Sequence, residues 1–264
     1  MTLEWRPMPA FRRAAPALLL LWLVACETVP LTGRSQIMLL PEGTEVAMGV
    51  DAYREVLQKS KLSTDPAANA QVARVGQRIA QATGRADYKW EFKVLENAQA
   101  NAFCLPGGKV AVYTGILPIT RDDAGLAAVL GHEIAHAVAR HGGERVSQTL
   151  LVQSGLAATQ AALSRNDPAT VQAVTSLLGA GASVGVLLPW SRSQESEADH
   201  MGLIYMAKAG YDPRAAKTLW ERMDAASQGG SRPPEFLSTH PLPATRIKQI
   251  EGWLPEALGY YQPR

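Results

Sequence analysis

The chain has 264 residues, 47% of them hydrophobic and 19% charged, a balance that builds one sizeable packed domain and excludes wholesale disorder. Its 26 Lys and Arg against 24 Asp and Glu leave a formal charge of only +2, which argues against a nucleic-acid binder held by bulk electrostatics. Two cysteines, Cys26 and Cys104, make neither a disulfide framework nor a Cys-rich metal site.

In chain order, Arg6, Arg12 and Arg13 precede an apolar run from Ala14 to Ala25. The run is too short to span a bilayer comfortably and is built like a signal peptide. It ends in Leu23-Val24-Ala25-Cys26, which resembles the bacterial lipobox and implies cleavage before Cys26 and lipidation of that residue. The expected organisation is a lipoprotein signal peptide over 1–25, an extended tether over 26–41 and a single domain over 42–264. The expected location is the periplasm, lipid-anchored, with Glu27 after the cysteine favouring the outer membrane over the inner.

Val46, Val50, Tyr53 and Leu57 share a face and predict a helix over 42–60. Asp65-Pro66 starts a second helix, which Gly84 ends. From Tyr88 to Leu95 the pattern alternates, as in a strand. Residues 101–105 and 109–114 flank a Pro106-Gly107-Gly108 turn and read as a hairpin or two edge strands. Asp122 and Asp123 open a helix that runs through Arg140. Further helices are expected over 144–164, 168–188, 193–209, 213–227 and 243–253, with Pro189 closing the second of these. The stretch Val171–Leu188 is apolar, but Gln172, Thr175, Ser176 and Ser183 favour a buried core helix over a membrane span. No repeat period is present. The fold class is mainly α with a small β-sheet (α+β).

His132-Glu133-Ile134-Ala135-His136 carries the chemistry. Residues four apart share a helix face, so the two imidazoles can reach one metal, and Glu133 is placed to act as base toward a water. Catalytic zinc needs a third protein ligand and an open position. His141, five residues past His136, reads as a helix-end residue near the C-terminal dipole. Glu195 and Asp199, four apart, offer one carboxylate for the metal and a second to accept a ligand histidine's free N–H, while Glu197 points elsewhere. Lys109 to Tyr113 suits an edge strand on which an extended peptide could pair at Val110, with Gly107 and Gly108 allowing close approach. An ordinary hairpin covering the core is the alternative.

Five ordered segments carry a resemblance. They are Val29-Pro30-Leu31-Thr32-Gly33-Arg34-Ser35-Gln36 after Cys26, Asn101-Ala102-Phe103-Cys104-Leu105-Pro106-Gly107-Gly108, His132–His136, Ser191 to Asp199, and Ser238-Thr239-His240-Pro241 with Arg246. Together they resemble the HtpX/CAAX-prenyl-protease family of gluzincin metallopeptidases, and within it the periplasmic lipoprotein branch of the BepA and LoiP type, without the helical repeats that follow the peptidase domain in some members. The resemblance implies a zincin-like fold with one zinc per chain on His132, His136 and Glu195, and Glu133 as general base. It implies an endopeptidase acting on misfolded or stalled envelope proteins; the alternative is a chaperone-like assembly factor for outer-membrane proteins with latent protease activity. His240 and Arg246 are then candidate catalytic donors to the developing oxyanion. His240 also admits a second role, as a fourth ligand that closes the zinc and keeps the enzyme latent.

Overall fold

A computed structural model of the chain describes residues 26–164, 167–182, 188–229, 234–241 and 245–263. The expected signal peptide lies outside the described residues. The first described element is an antiparallel hairpin, β1 (Cys26–Thr28) and β2 (Ser35–Ile37), turned through Leu31 and Gly33, both at positive φ. The segment expected as an extended tether is pinned to the domain. Val29 is buried, Arg34 pairs with Glu144 and Glu197, and Glu27 pairs with Arg140. Cys26 itself is exposed and its thiol is free.

Two helices follow, α1 (Glu42–Lys59) and α2 (Pro66–Thr83). The ends of α2 are those its sequence signals. The Asp65 carboxylate accepts from the N–H groups of Ala67 and Ala68, Pro66 sits where no N–H is needed, and Gly84 (φ 73°) supplies the left-handed stop.

The sheet contains β3 (Glu91–Leu95), β4 (Ala102–Leu105) and β5 (Lys109–Tyr113) in the order β3-β5-β4. β4 and β5 form the expected hairpin, but β3 pairs parallel with β5 on its other side. β5 is therefore the central strand. Val110 lies opposite Phe92 and Cys104 and is fully buried, which corrects its expected role as a peptide-pairing edge residue. Gly107 and Gly108 are corrected as well. Both have φ above +80°, and a Cβ would lie 2.9 Å from Val46 Cγ1 at Gly107 and 2.8 Å from Trp90 Cε3 at Gly108. Their positive φ and close neighbours assign these glycines to the turn and its packing.

A 3-10 turn (Thr114–Ile116) and the short α3 (Leu117–Thr120) lead to α4 (Asp123–Val138), whose N-cap Asp122 accepts from the Gly125 N–H at 2.7 Å. α4 is buried without interruption from Gly125 to Val138, as a helix at the centre of a core must be. After it come α5 (His141–Ala162), α6 (Pro168–Ala182), α7 (Leu188–Lys208), α8 (Arg214–Gly229), α9 (Glu235–Thr239) and α10 (Arg246–Gly259). Pro189 falls in the first turn of α7, where a missing N–H costs nothing, and so does not close the preceding helix. α6 is not the expected core helix: it packs against α5 and leaves Leu177 74% exposed, with Val174 and Leu178 exposed beside it. Among the described residues no helix is long and apolar enough to cross a membrane.

The backbones of α4 and α7 approach closely where the two helices cross. A Cβ on Gly202 would lie 2.9 Å from the Gly131 carbonyl carbon and 2.9 Å from the His132 nitrogen. Only glycine at both positions lets the two helices meet one residue from the first histidine. Gly202→Ala is expected to cost about 1–3 kcal/mol of stability through this backbone clash. Chemical denaturation checks it, with the open Gly43, where a Cβ meets nothing, as the control whose alanine variant loses nothing.

Candidate active site

His132 and His136 stand one turn apart on the buried α4, their rings edge to face with centroids 4.6 Å apart. Their Nε2 atoms converge at 3.1 Å. α7 brings Glu195 across the helix crossing, with Oε2 3.3 Å from His132 Nε2 and Oε1 3.3 Å from His136 Nε2. His240, just past α9, places Nδ1 2.9 Å from Glu195 Oε2 and 3.1 Å from His132 Nε2. One ligand atom from each of these four residues falls within 4.8 Å of the others, compatible with a single metal site. The Glu133 carboxylate adjoins the cluster. Its Oε1 is buried and accepts no hydrogen bond among the described residues, although His240 Nε2 is 3.3 Å away. Imidazoles and a carboxylate beside an orphaned, buried carboxylate oxygen form the donor set of a catalytic zinc rather than a sealed structural one.

The electrostatics divide the acidic groups. Burial pushes the Glu133 carboxyl above its usual range, against the pull of His240 and His132. Burial acts the same way on Glu195, but its close contacts with the imidazoles of His132, His136 and His240 outweigh it and hold Glu195 far below the carboxylate range. His136 is held well below the ordinary histidine value by its burial, which keeps it a neutral lone-pair donor.

Asp199 lies where its spacing from Glu195 places it. Its Oδ1 is 2.9 Å from His132 Nδ1. Arg246 clamps the same carboxylate through Nε (2.6 Å to Oδ2) and Nη2 (2.8 Å to Oδ1). The guanidinium also stacks 3.6 Å over Trp220 and donates from Nη1 to the carbonyls of Pro241 (3.0 Å) and His240 (3.3 Å). Arg246 is buried and committed to these partners. This corrects its expected role as a donor to the oxyanion: it braces Asp199 and the turn that carries His240.

His141 is the residue whose place the sequence did not reveal. α4 stops at Val138, Arg140 takes a left-handed conformation (φ 58°), and α5 restarts at His141. On an unbroken helix, residues five apart point about 140° from each other. The break turns His141 back, so that its Nδ1 lies 2.8 Å from His136 Nδ1 and its Nε2 lies 3.0 Å from Glu197 Oε2. His141 is a fully buried neighbour of the cluster that opens α5, not a residue at the C-terminal end of α4.

Residues 66–254 match the family model described as peptidase family M48. The chain belongs to peptidase family M48. It is a zinc-dependent metalloendopeptidase, and its mostly helical architecture with small sheets fits the zincin-like fold. The M48 chain is 43% identical over 234 residues to "Mitochondrial metalloendopeptidase OMA1" of Schizosaccharomyces pombe, a match that covers 88% of this chain and 67% of that one. It is 31% identical to the protein of the same name from Saccharomyces cerevisiae, over 89% of this chain and 71% of the other. It is 29% identical to the "Beta-barrel assembly-enhancing protease" of Escherichia coli K12, over 84% of this chain but 46% of that protein. The two relatives of higher identity are mitochondrial by name, which overturns the expected periplasmic, outer-membrane location of this M48 peptidase. With mitochondrial and bacterial relatives side by side, the match supports the family and not the periplasmic lipoprotein branch in particular.

Proposed function

We propose that the chain cleaves peptide bonds of unfolded or misfolded proteins at the His132–His136–Glu195 centre, with Glu133 as the general base. The buried Glu133 Oε1, which accepts no hydrogen bond among the described residues, carries this reading, since a structural site would have satisfied it. Zinc held there would supply a Lewis acid that acidifies water and polarises the scissile carbonyl. His132, His136 and Glu195 would be its ligands. Asp199, fixed by Arg246, accepts the His132 Nδ1–H and so keeps the Nε2 lone pair turned to the cluster. Glu133 takes the proton of the attacking water at Oε1 and passes it to the leaving amine, a task suited to a carboxyl whose pKa burial has raised. With β5 central, an extended substrate would pair on β4, the outer strand that packs against α4. Backbone pairing of this kind is indifferent to side-chain sequence and favours unfolded clients. Casein cleavage by Glu133→Gln protein of matched zinc content tests the reading.

His240 fits the latent role better than that of a free donor. Its Nδ1 contacts Glu195 and His132, and its Nε2 lies 3.3 Å from Glu133. The ring thus stands where a water and a scissile carbonyl must sit between ligands and base. His240→Ala is expected to raise basal casein cleavage several-fold with one zinc retained. A loss of cleavage at unchanged zinc would assign His240 to the oxyanion instead.

A further inference from the structure

We infer that His141 and Glu197, held by Thr32 and Arg34 of the N-terminal hairpin, form a relay that positions His136 for the metal. The inference rests on the metal site proposed above. His136 turns Nε2 to the cluster, 3.1 Å from His132 Nε2 and 3.3 Å from Glu195 Oε1. A ring that presents its Nε2 lone pair carries its hydrogen on Nδ1. That N–H meets His141 Nδ1 at 2.8 Å, so His141 accepts there and keeps its own hydrogen on Nε2. His141 Nε2–H then donates to Glu197 Oε2 at 3.0 Å. With both rings neutral and His136 Nε2 kept for the metal, only this assignment of the two ring protons satisfies the contacts with His141 and Glu197.

Glu197 is itself fixed from the far side. Its Oε1 accepts from the Thr32 hydroxyl, and its Oε2 accepts from Arg34 Nε at 2.8 Å. The fork of Arg34 closes on Glu144 at 2.7 and 2.8 Å, and Gln194 donates to the same carboxylate at 2.7 Å. His141, Glu144 and Glu197 are all buried, where hydrogen bonds are strong and geometry is held. The two histidines of α4 are thus served in parallel. His132 is held directly by the Asp199–Arg246 pair, and His136 through His141 by the Glu197–Arg34 pair. The second arginine comes from the hairpin at residues 26–37, ahead of the first helix, which makes that hairpin part of the support of the site.

The test is zinc affinity, measured by competition of the holoprotein with a chromogenic chelator, alongside the melting temperature of each metal-free form. His141→Leu removes the acceptor and should weaken zinc binding roughly 10–100-fold, as loss of an outer-shell partner does. His141→Gln restores an acceptor for His136 and a donor for Glu197 and should return affinity to within a few-fold of wild type. Arg34→Gln, a change in the hairpin away from the ligand helices, should weaken zinc several-fold and keeps the test open if the leucine variant does not fold. Wild-type affinity in His141→Leu and Arg34→Gln would overturn the relay. So would a His141→Gln variant as weak as His141→Leu with the metal-free melting temperature lowered equally in both, which marks a purely structural role. A wild-type protein that binds no zinc would instead remove the metal site, and the relay with it.

Discussion

Glu133→Gln is expected to lower casein cleavage by about 100- to 10,000-fold, the usual contribution of a positioned general base, while zinc stays at one per chain. The amide keeps the size of the side chain and cannot take a proton. Glu133 Oε1 accepts no hydrogen bond among the described residues, so the substitution breaks none at that atom and touches only the 3.3 Å approach of His240 Nε2. Burial already disfavours the charged carboxylate there, so a neutral amide should leave the fold at least as stable. Cleavage rates and thermal melting, measured on one preparation, separate loss of chemistry from loss of structure.

Glu195→Ala is expected to abolish cleavage through a different route, the loss of the metal. Its carboxylate lies within 3.3 Å of both His132 and His136 and 2.9 Å from His240, and it supplies the only negative charge among those four residues. Without it, three imidazoles face one another with no carboxylate among the ligand atoms, and only Asp199 behind His132 and Glu133 beside His240 offset their repulsion when metal or protons bind. Zinc affinity should fall by more than the roughly 10–100-fold that loss of an outer-shell partner costs. Equilibrium dialysis against a zinc buffer reads this directly. Casein cleavage should not return at zinc concentrations that saturate the wild type.

Local signals in the sequence were good guides wherever the structure depends on local chemistry. The caps of α2 follow from Asp65, Pro66 and Gly84, and the core helix α4 follows its Asp122 cap and its small and apolar run. Four-residue spacing placed His132 beside His136, and Glu195 one turn before Asp199. The errors arise where distant segments decide. β5 reads as an edge because nothing in residues 109–113 shows that β3 arrives parallel on the other side. His141 escapes helical spacing because a single left-handed residue, Arg140, turns the chain before it. Arg246 reads as a free donor because its commitment to Asp199, 47 positions away, leaves no trace in sequence. The apolar face of α6 reads as core, although Val174, Leu177 and Leu178 stay exposed on a helix that packs against α5. The signal-like N-terminus led to a periplasmic location that the mitochondrial relatives contradict.

The central claim is one zinc on His132, His136 and Glu195 with Glu133 as base. Its most direct test measures zinc content and casein cleavage on the same preparations of wild type, Glu133→Gln and Glu195→Ala. The account predicts one zinc in the first two, little in the third, and cleavage by wild type alone. Stoichiometric, equally tight zinc in Glu195→Ala, or wild-type cleavage by Glu133→Gln, would contradict it.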